Sequence, residues 1–287
     1  MKKLLYQFDT DALPSVFDNV VGFDGGADNV TAYGGVNVAN VGVLVEGAIF
    51  TRSPKDKKHT AIFVGGANLL QGEALLAAIR RKFFAKFRVS LMFDCNGANT
   101  TAAAAVAWLS HGRVLKDKRA VVLAGSGPVG QRAAVLLARE GAHVAITGRK
   151  LAVVQAACDS IRSKFGISVQ AIEAPTHIER AAAIEGAQIL LATGASGVTL
   201  LEAGHWQQNA SLELIADANA SPPAGIEGVG LSDRATASHG KILFGALGFG
   251  ALKLAVHRAC IARLFEQNDL VLDAEEIYGI ARGMVGT

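Results

Sequence analysis

Short apolar runs alternate with longer amphipathic stretches along most of this chain. Lys3–Phe8, Thr60–Val64, Arg88–Phe93, Ala120–Ala124, His143–Thr147, Ser168–Ile172, Gln188–Ala192 and Leu212–Ala216 predict strands, most of them apolar enough to be buried on both faces. Between and after them, Pro14–Gly22, Asn68–Phe84, Asn99–Ser110, Leu151–Phe165, Ile178–Glu185, Ala251–Phe265 and Ala274–Met284 predict helices. Pro14 suits a first turn, where a missing N–H costs nothing. Asn99-Thr100-Thr101 offers capping side chains for the helix that follows. Strands that alternate with helices predict the α/β class, a parallel sheet covered on both faces.

The charged turn Lys116-Asp117-Lys118-Arg119 leads into a central domain, residues 113–244. Residues 1–112 and 245–287 are expected to form a second domain, the closing helices returning to the first. The result is two α/β lobes around a cleft. A loop runs from Ser221-Pro222-Pro223 to Gly230, and a glycine-rich stretch, Phe244–Gly250, leads into the helix at Ala251.

With 287 residues, 51% of them hydrophobic, both lobes can bury a core. A net charge of +3 gives no support to a nucleic-acid or membrane-surface role. No apolar run approaches the ~20 residues that span a bilayer, and Gln7, Asp9 and Asp11 interrupt any signal-like segment. Cys95, Cys158 and Cys260 lack metal-ligand spacing, so free thiols in a reduced, cytoplasmic protein are expected, with no metal.

The sharpest chemical signal follows Ala120–Ala124. Gly125-Ser126-Gly127-Pro128-Val129-Gly130 opens a helical run that ends at Arg139-Glu140-Gly141, and the strand His143–Thr147 comes next. This is a dinucleotide fingerprint in a strand–turn–helix–strand setting. Gly125 permits the tight turn, Gly127 lets the backbone approach a pyrophosphate, and Gly130 lets helix and strand pack closely. The pyrophosphate meets free N–H groups at the positive helix end. NAD sites usually offer a carboxylate after the second strand; this chain offers Gly148-Arg149-Lys150. Arg149 suits a 2′-phosphate, which predicts NADP rather than NAD. Thr147 could add a hydroxyl. Arg149 and Lys150 also read as an ordinary solvated helix start, although basic residues there oppose the helix dipole.

Ligands of α/β sheets bind beyond the carboxyl ends of strands. Those ends carry Asp9-Thr10-Asp11, Gly65-Gly66-Ala67-Asn68, Asp94-Cys95-Asn96-Gly97-Ala98-Asn99-Thr100-Thr101, Thr193-Gly194-Ala195 and Asp217-Ala218-Asn219-Ala220. Phe17-Asp18 lies close to the first in sequence. Thr193, Gly194 and Ala195 can let a nicotinamide ribose pass near the backbone. Asp94 and Asn96 also read as a turn that caps the next helix, and Asp9 and Asp11 as solvated loop acids. Lys253, in an apolar helix start, either snorkels to solvent or faces the cleft. His257, one turn later, reads as structural.

Gln7-Phe8-Asp9-Thr10-Asp11, Thr60–Gly66, Asn96–Thr101, Ala124–Gly130 with Gly148-Arg149-Lys150, Phe244–Gly248 and His257–Ala262 together resemble the NADP-dependent methylene-tetrahydromethanopterin dehydrogenase family of one-carbon metabolism. The resemblance spans essentially the whole chain. It implies a pterin-binding lobe made from both chain ends, a central Rossmann-type NADP lobe, and homo-oligomers, trimers among them. The implied reaction oxidises the methylene bridge of a tetrahydromethanopterin, with tetrahydrofolate as a second carrier in some members. The hydride goes to NADP+ and the methenyl cation remains. A carbon between two nitrogens releases hydride without moving a proton, so the lack of a nucleophile–base set is expected.

Lys253 matches a family cleft lysine by position, and with Asp94 it is the candidate catalytic group. Asp9, Asp11, Phe17, Asp18, Asn96, Asn99, Thr100, Asn219 and Lys253 are the candidate pterin contacts. Two alternatives stay open. A folate dehydrogenase with cyclohydrolase activity needs a Tyr and a Lys paired on one helix, and Tyr6, Tyr33 and Tyr278 are not so paired. A non-catalytic NADPH sensor would need no polar second lobe.

Overall fold

The structure is a computed structural model and describes residues 1–286. In chain order its elements are β1 (Leu4–Asp9), α1 (Val16–Asp24), β2 (Asn29–Tyr33), α2 (Val41–Phe50), β3 (Thr60–Gly65), α3 (Leu69–Lys82), β4 (Ser90–Phe93) and α4 (Ala98–Ser110). There follow β5 (Arg119–Leu123), α5 (Pro128–Arg139), β6 (His143–Gly148), α6 (Leu151–Phe165), β7 (Gln170–Glu173), α7 (His177–Ala183), β8 (Ile189–Ala192), α8 (Ala203–Gln207) and β9 (Leu214–Asp217). The chain ends with β10 (Arg234–Ser238), β11 (Lys241–Phe244), α9 (Ala246–Arg263), β12 (Val271–Leu272) and α10 (Ala274–Met284).

Two compact units result. One is Met1–Thr100 with Leu254–Ile280; the other is Thr101–Lys253 with the segment from Ala281 onward. The first holds a five-stranded sheet, order β2-β1-β3-β4-β12, with every neighbouring pair parallel. All residues of β3 and β4 are buried, as their continuous apolar runs require. Phe8, Ile62, Val64, Leu75, Ile79 and Phe93 pack in its core.

The second holds a seven-stranded sheet, order β7-β6-β5-β8-β9-β11-β10, parallel except for the antiparallel β10–β11 edge. From β7 to β11 this is the 3-2-1-4-5-6 winding of a Rossmann fold. Val121, Leu123, Leu190, Trp206, Ile215 and Leu243 fill one side of it.

Three local readings change. Pro14 precedes α1, whose cap is Ser15: its hydroxyl accepts from Asp18 N–H. At α4, of the two caps the sequence offered, Asp94 serves, and Asn99 and Thr100 lie inside the helix instead of capping it. The helix expected from Ala251 begins instead at Ala246. Glycines lower helix propensity by about 1 kcal/mol each, which hid that turn. A Cβ at Gly248 would lie 1.8 Å from the Asp233 carbonyl oxygen, so glycine serves close backbone packing there.

Cys95, Cys158 and Cys260 are free and buried. Burial pushes the Cys158 and Cys260 thiols up, away from the reactive thiolate. The folded protein should therefore show no thiol reactive toward a disulfide reagent at neutral pH, and all three cysteines should react after unfolding in guanidinium.

Candidate active site

In the Rossmann unit the strand order reverses between β5 and β8, and the fingerprint turn leaves β5 at that point. Its shape comes from β6. Thr147 accepts the Gly125 N–H at its carbonyl (2.9 Å) and the Ala124 N–H at its hydroxyl (3.2 Å). The buried Thr147 hydroxyl thus holds the turn. Ala124 takes a left-handed conformation, φ +52°.

The three glycines separate cleanly. A Cβ at Gly125 would press on Ile146 at 2.8 Å, and one at Gly130 would lie 2.5 Å from the Gly125 Cα. Gly127 has φ −76°, and the nearest atom to a Cβ there is the Ala124 oxygen at 3.9 Å. Neither conformation nor packing requires glycine at 127, so the bare backbone fits the approach of a pyrophosphate. Pro128 opens α5 at its first position, with Val129 and Gly130 in the same turn. Gln131 reaches back to donate to the Ser126 carbonyl at 2.7 Å.

Gly148 ends β6 beside this turn: a Cβ there would lie 3.5 Å from the Ser126 hydroxyl. Arg149 and Lys150 are exposed, and Lys150 is the residue before α6. At the end of β8 the Thr193 hydroxyl donates to the Leu123 carbonyl (3.1 Å), tying that loop to the fingerprint strand. Gly194 packs against Leu200, and Ala195 is exposed. After β9, Asp217 accepts from the Asn219 N–H (3.0 Å) and the Ile226 N–H (2.8 Å). Burial pushes its carboxyl up, against those N–H bonds. The Asn219 side chain donates to Pro223 and accepts from Ser221, so it knits its own loop.

In the other unit the order reverses between β1 and β3, and two loaded loops meet there. Asp9 is buried and accepts from the N–H groups of Asp11 (2.9 Å) and Ser15 (3.0 Å). Asp11 accepts from the Ala67 N–H at 3.0 Å, joining the two loops. The carboxylates of Asp9 and Asp18 flank Gly65, 3.5 and 3.7 Å from the point where its Cβ would stand.

Beside β3, the end of β4 carries Asp94, fully buried. One carboxylate oxygen accepts from the Asn99 and Thr100 N–H groups (2.8 and 3.1 Å), the other from the Thr100 hydroxyl (2.6 Å). Asn99 donates to the Phe93 carbonyl and to Asp273. Asn96 is exposed in a left-handed conformation, φ +55°. Phe17 is about half exposed, its ring 6.3 Å from that of buried His257, which stacks on Phe63 at 5.4 Å.

Lys253 is partly buried on α9, one turn before His257. Tyr6 and Tyr33 lie on strands, and Tyr278 on α10, which contains no lysine. Among the described residues no group of three or more His, Cys, Asp or Glu is placed to hold a metal ion.

Sequence reasoning passed over Gln7 and the hydroxyl of Thr10. Gln7 interrupts an apolar strand at a buried position, which was the available signal. Its side chain donates to the Ser15 carbonyl (3.1 Å). Gln7 Oε1, Thr10 Oγ1 and Asn99 Oδ1 are buried without a hydrogen-bond partner among the described residues. Buried acceptors of this kind are costly unless something bonds them.

A family model described as methylene-tetrahydromethanopterin dehydrogenase, N-terminal, matches residues 16–96. The bifunctional protein MdtA of Methylorubrum extorquens is 54% identical over 285 residues, 99% of each chain. The NAD(P)-dependent methylenetetrahydromethanopterin dehydrogenase of the same organism is 31% identical over 282 residues, 95% of each chain. Quinate dehydrogenase from Corynebacterium glutamicum in complex with NAD shares the fold, with a TM-score of 0.55 over 99% of each chain at 13% identity.

Two substitution experiments follow from the geometry. Gly127→Ala should fold with an unchanged melting temperature yet bind NADPH more weakly, whereas Gly130→Ala should lose stability, as thermal melts and NADPH titration would read. Asp94→Ala strands two buried N–H groups and should cost at least ~2 kcal/mol in urea unfolding.

Proposed function

This chain belongs to the methylenetetrahydromethanopterin dehydrogenase family, and on that footing we propose that it oxidises the methylene bridge of methylene-tetrahydromethanopterin, with methylene-tetrahydrofolate as a second carrier. NADP+, when bound, accepts the hydride at its nicotinamide ring. The observation that carries this reading is likeness over 95% of the chain to a dehydrogenase named for that substrate.

The bridge carbon lies between two nitrogens, whose lone pairs stabilise the cation left behind. No proton moves in that step, so no general base is required. The protein's part is to bind, orient and exclude water. The backbone at Gly125–Gly130 would hold the pyrophosphate, Arg149 with Lys150 the 2′-phosphate, and Thr193–Ala195 the nicotinamide ribose.

For the pterin we propose the β1/β3 switch point. Asp18, Asp11, Phe17 and Asn96 are its contacts, and Gln7 and Asn99 are supported by their open acceptors. Carboxyl groups placed there favour a developing cation. Asp94 is a positioning residue in this scheme, because both of its oxygens serve the start of α4. Lys253 orients polar atoms of the pterin. The proposal extends to a cytoplasmic homo-oligomer, supported by the free cysteines and by Val16, Val20 and Phe23 exposed along α1. No helix among the described residues is long and apolar enough to cross a membrane.

The test is NADPH absorbance with each coenzyme and each methylene pterin. NADPH should form from NADP+ with methylene-tetrahydromethanopterin; absence of reduction with every pair would refute the reaction. Arg149→Ala should raise the KM for NADP+ roughly ten- to a hundredfold with kcat nearly unchanged, since its bond forms in ground and transition states alike. Lys253→Ala should lower kcat/KM for the pterin and leave NADPH binding intact.

A further inference from the structure

The Rossmann unit contains a cation that the fingerprint does not explain. Arg180, on α7, is only 9% exposed. Its guanidinium donates to three main-chain carbonyls: Ala174 at 3.1 Å, Leu200 at 3.0 Å and Pro175 at 2.6 Å. Among the described residues no carboxylate lies within ion-pair distance of it. Glu179, its sequence neighbour, is committed to the capping box at the start of α7 and accepts from the N–H and hydroxyl of Thr176. Glu173, opposite Gly148 in the β6–β7 register, is exposed and makes no ion pair with Arg180.

Place is the second part of the argument. Ala174, which accepts from Arg180, itself donates to the Gly148 carbonyl at 2.8 Å. The buried guanidinium is therefore one residue's hydrogen bonds away from the end of β6, where Arg149 begins. Burial pulls its pKa below the ordinary value; the charge of Glu179 opposes this, and the like charge of Arg149 adds to it. Two guanidiniums within each other's field, one of them buried without a counter-ion, are unfavourable for the fold alone. A dianion beside them reverses the sign of that interaction.

We propose that Arg180 is the buried positive charge behind the 2′-phosphate subsite, and that it sets the preference for NADP(H) over NAD(H) together with Arg149. It acts by position and field: it fixes the Ala174-Pro175 turn beside Gly148 and holds a charge that solvent screens weakly. The inference rests on the NADP reading above, and binding measurements separate the two.

NADPH and NADH would be titrated by fluorescence, without pterin, against the wild-type protein, Arg180→Gln and Arg180→Lys. Glutamine keeps a donor for the carbonyls and removes the charge; lysine keeps the charge. Arg180→Gln should lose about tenfold in NADPH affinity with NADH unchanged, and Arg180→Lys should keep most of the preference. A parallel fall for both coenzymes, or an unchanged ratio in Arg180→Gln, would show a structural arginine only and overturn the inference.

A second measurement leaves Arg180 in place and so does not depend on how its variants fold. The exposed pair changed together, Arg149→Met with Lys150→Met, should retain a several-fold preference for NADPH; equal binding of the two coenzymes would again overturn it. If the wild-type protein itself binds NADH as tightly as NADPH, the NADP reading falls and this inference with it.

Discussion

Where a parallel sheet is wound outward in both directions from its middle, the loops leaving adjacent strands turn to opposite faces. The edge between them stays uncovered. Both sheets of this chain have such a point, between β1 and β3 in one and between β5 and β8 in the other. The local chemistry described above follows from that constraint. Polar groups placed there need no burial under a crossover helix, so the chain can concentrate acids at one point and bare backbone with nearby cations at the other.

The two points handle charge in opposite ways. At β1/β3, the acid that ends a strand is tied to backbone N–H groups, as Asp9 is to Asp11 and Ser15. Asp94 does the same at β4 and Asp217 at β9. Each stays in place because it satisfies donors that would otherwise be buried alone. Around β6 the cations are Arg149, Lys150 and Arg180, and Arg180 is tied to carbonyls rather than to acids. Fixed acids suit a substrate that becomes a cation; cations left without acids suit a phosphate.

The long elements were legible because their patterns are strong. Leu151–Phe165 and Ala274–Met284 fall where periodicity put them, and the fingerprint sits in its expected turn. Three features hid. The edge strand β2 is mostly exposed and carries little alternation. In α2 every residue but Glu46 is apolar, so little period marks it. The short β11 and β12 are defined by pairing partners far away in sequence, and β10 only by its hairpin with β11. At the site, residue types were readable but their commitments were not. Asp94 reads equally as a helix cap and as a ligand, and nothing in the string says that Thr147 holds the fingerprint turn. Arg180 escaped notice because a lone arginine on a short helix normally reads as solvated.

The glycine-rich start of α9 has a dynamic consequence. Its first turn has weak intrinsic helicity and is held from outside: Gly245 donates to the Asp233 carbonyl, and Leu247 and Gly248 donate to that of Leu231. Local opening of the turn must therefore release the 230–233 loop at the same time. The two segments form one cooperative unit for amide exchange, although more than ten residues of sequence separate Gly230 from Gly245. Lys253 stands within two turns of that unit, so its time-averaged position depends on how often a distant loop lets go.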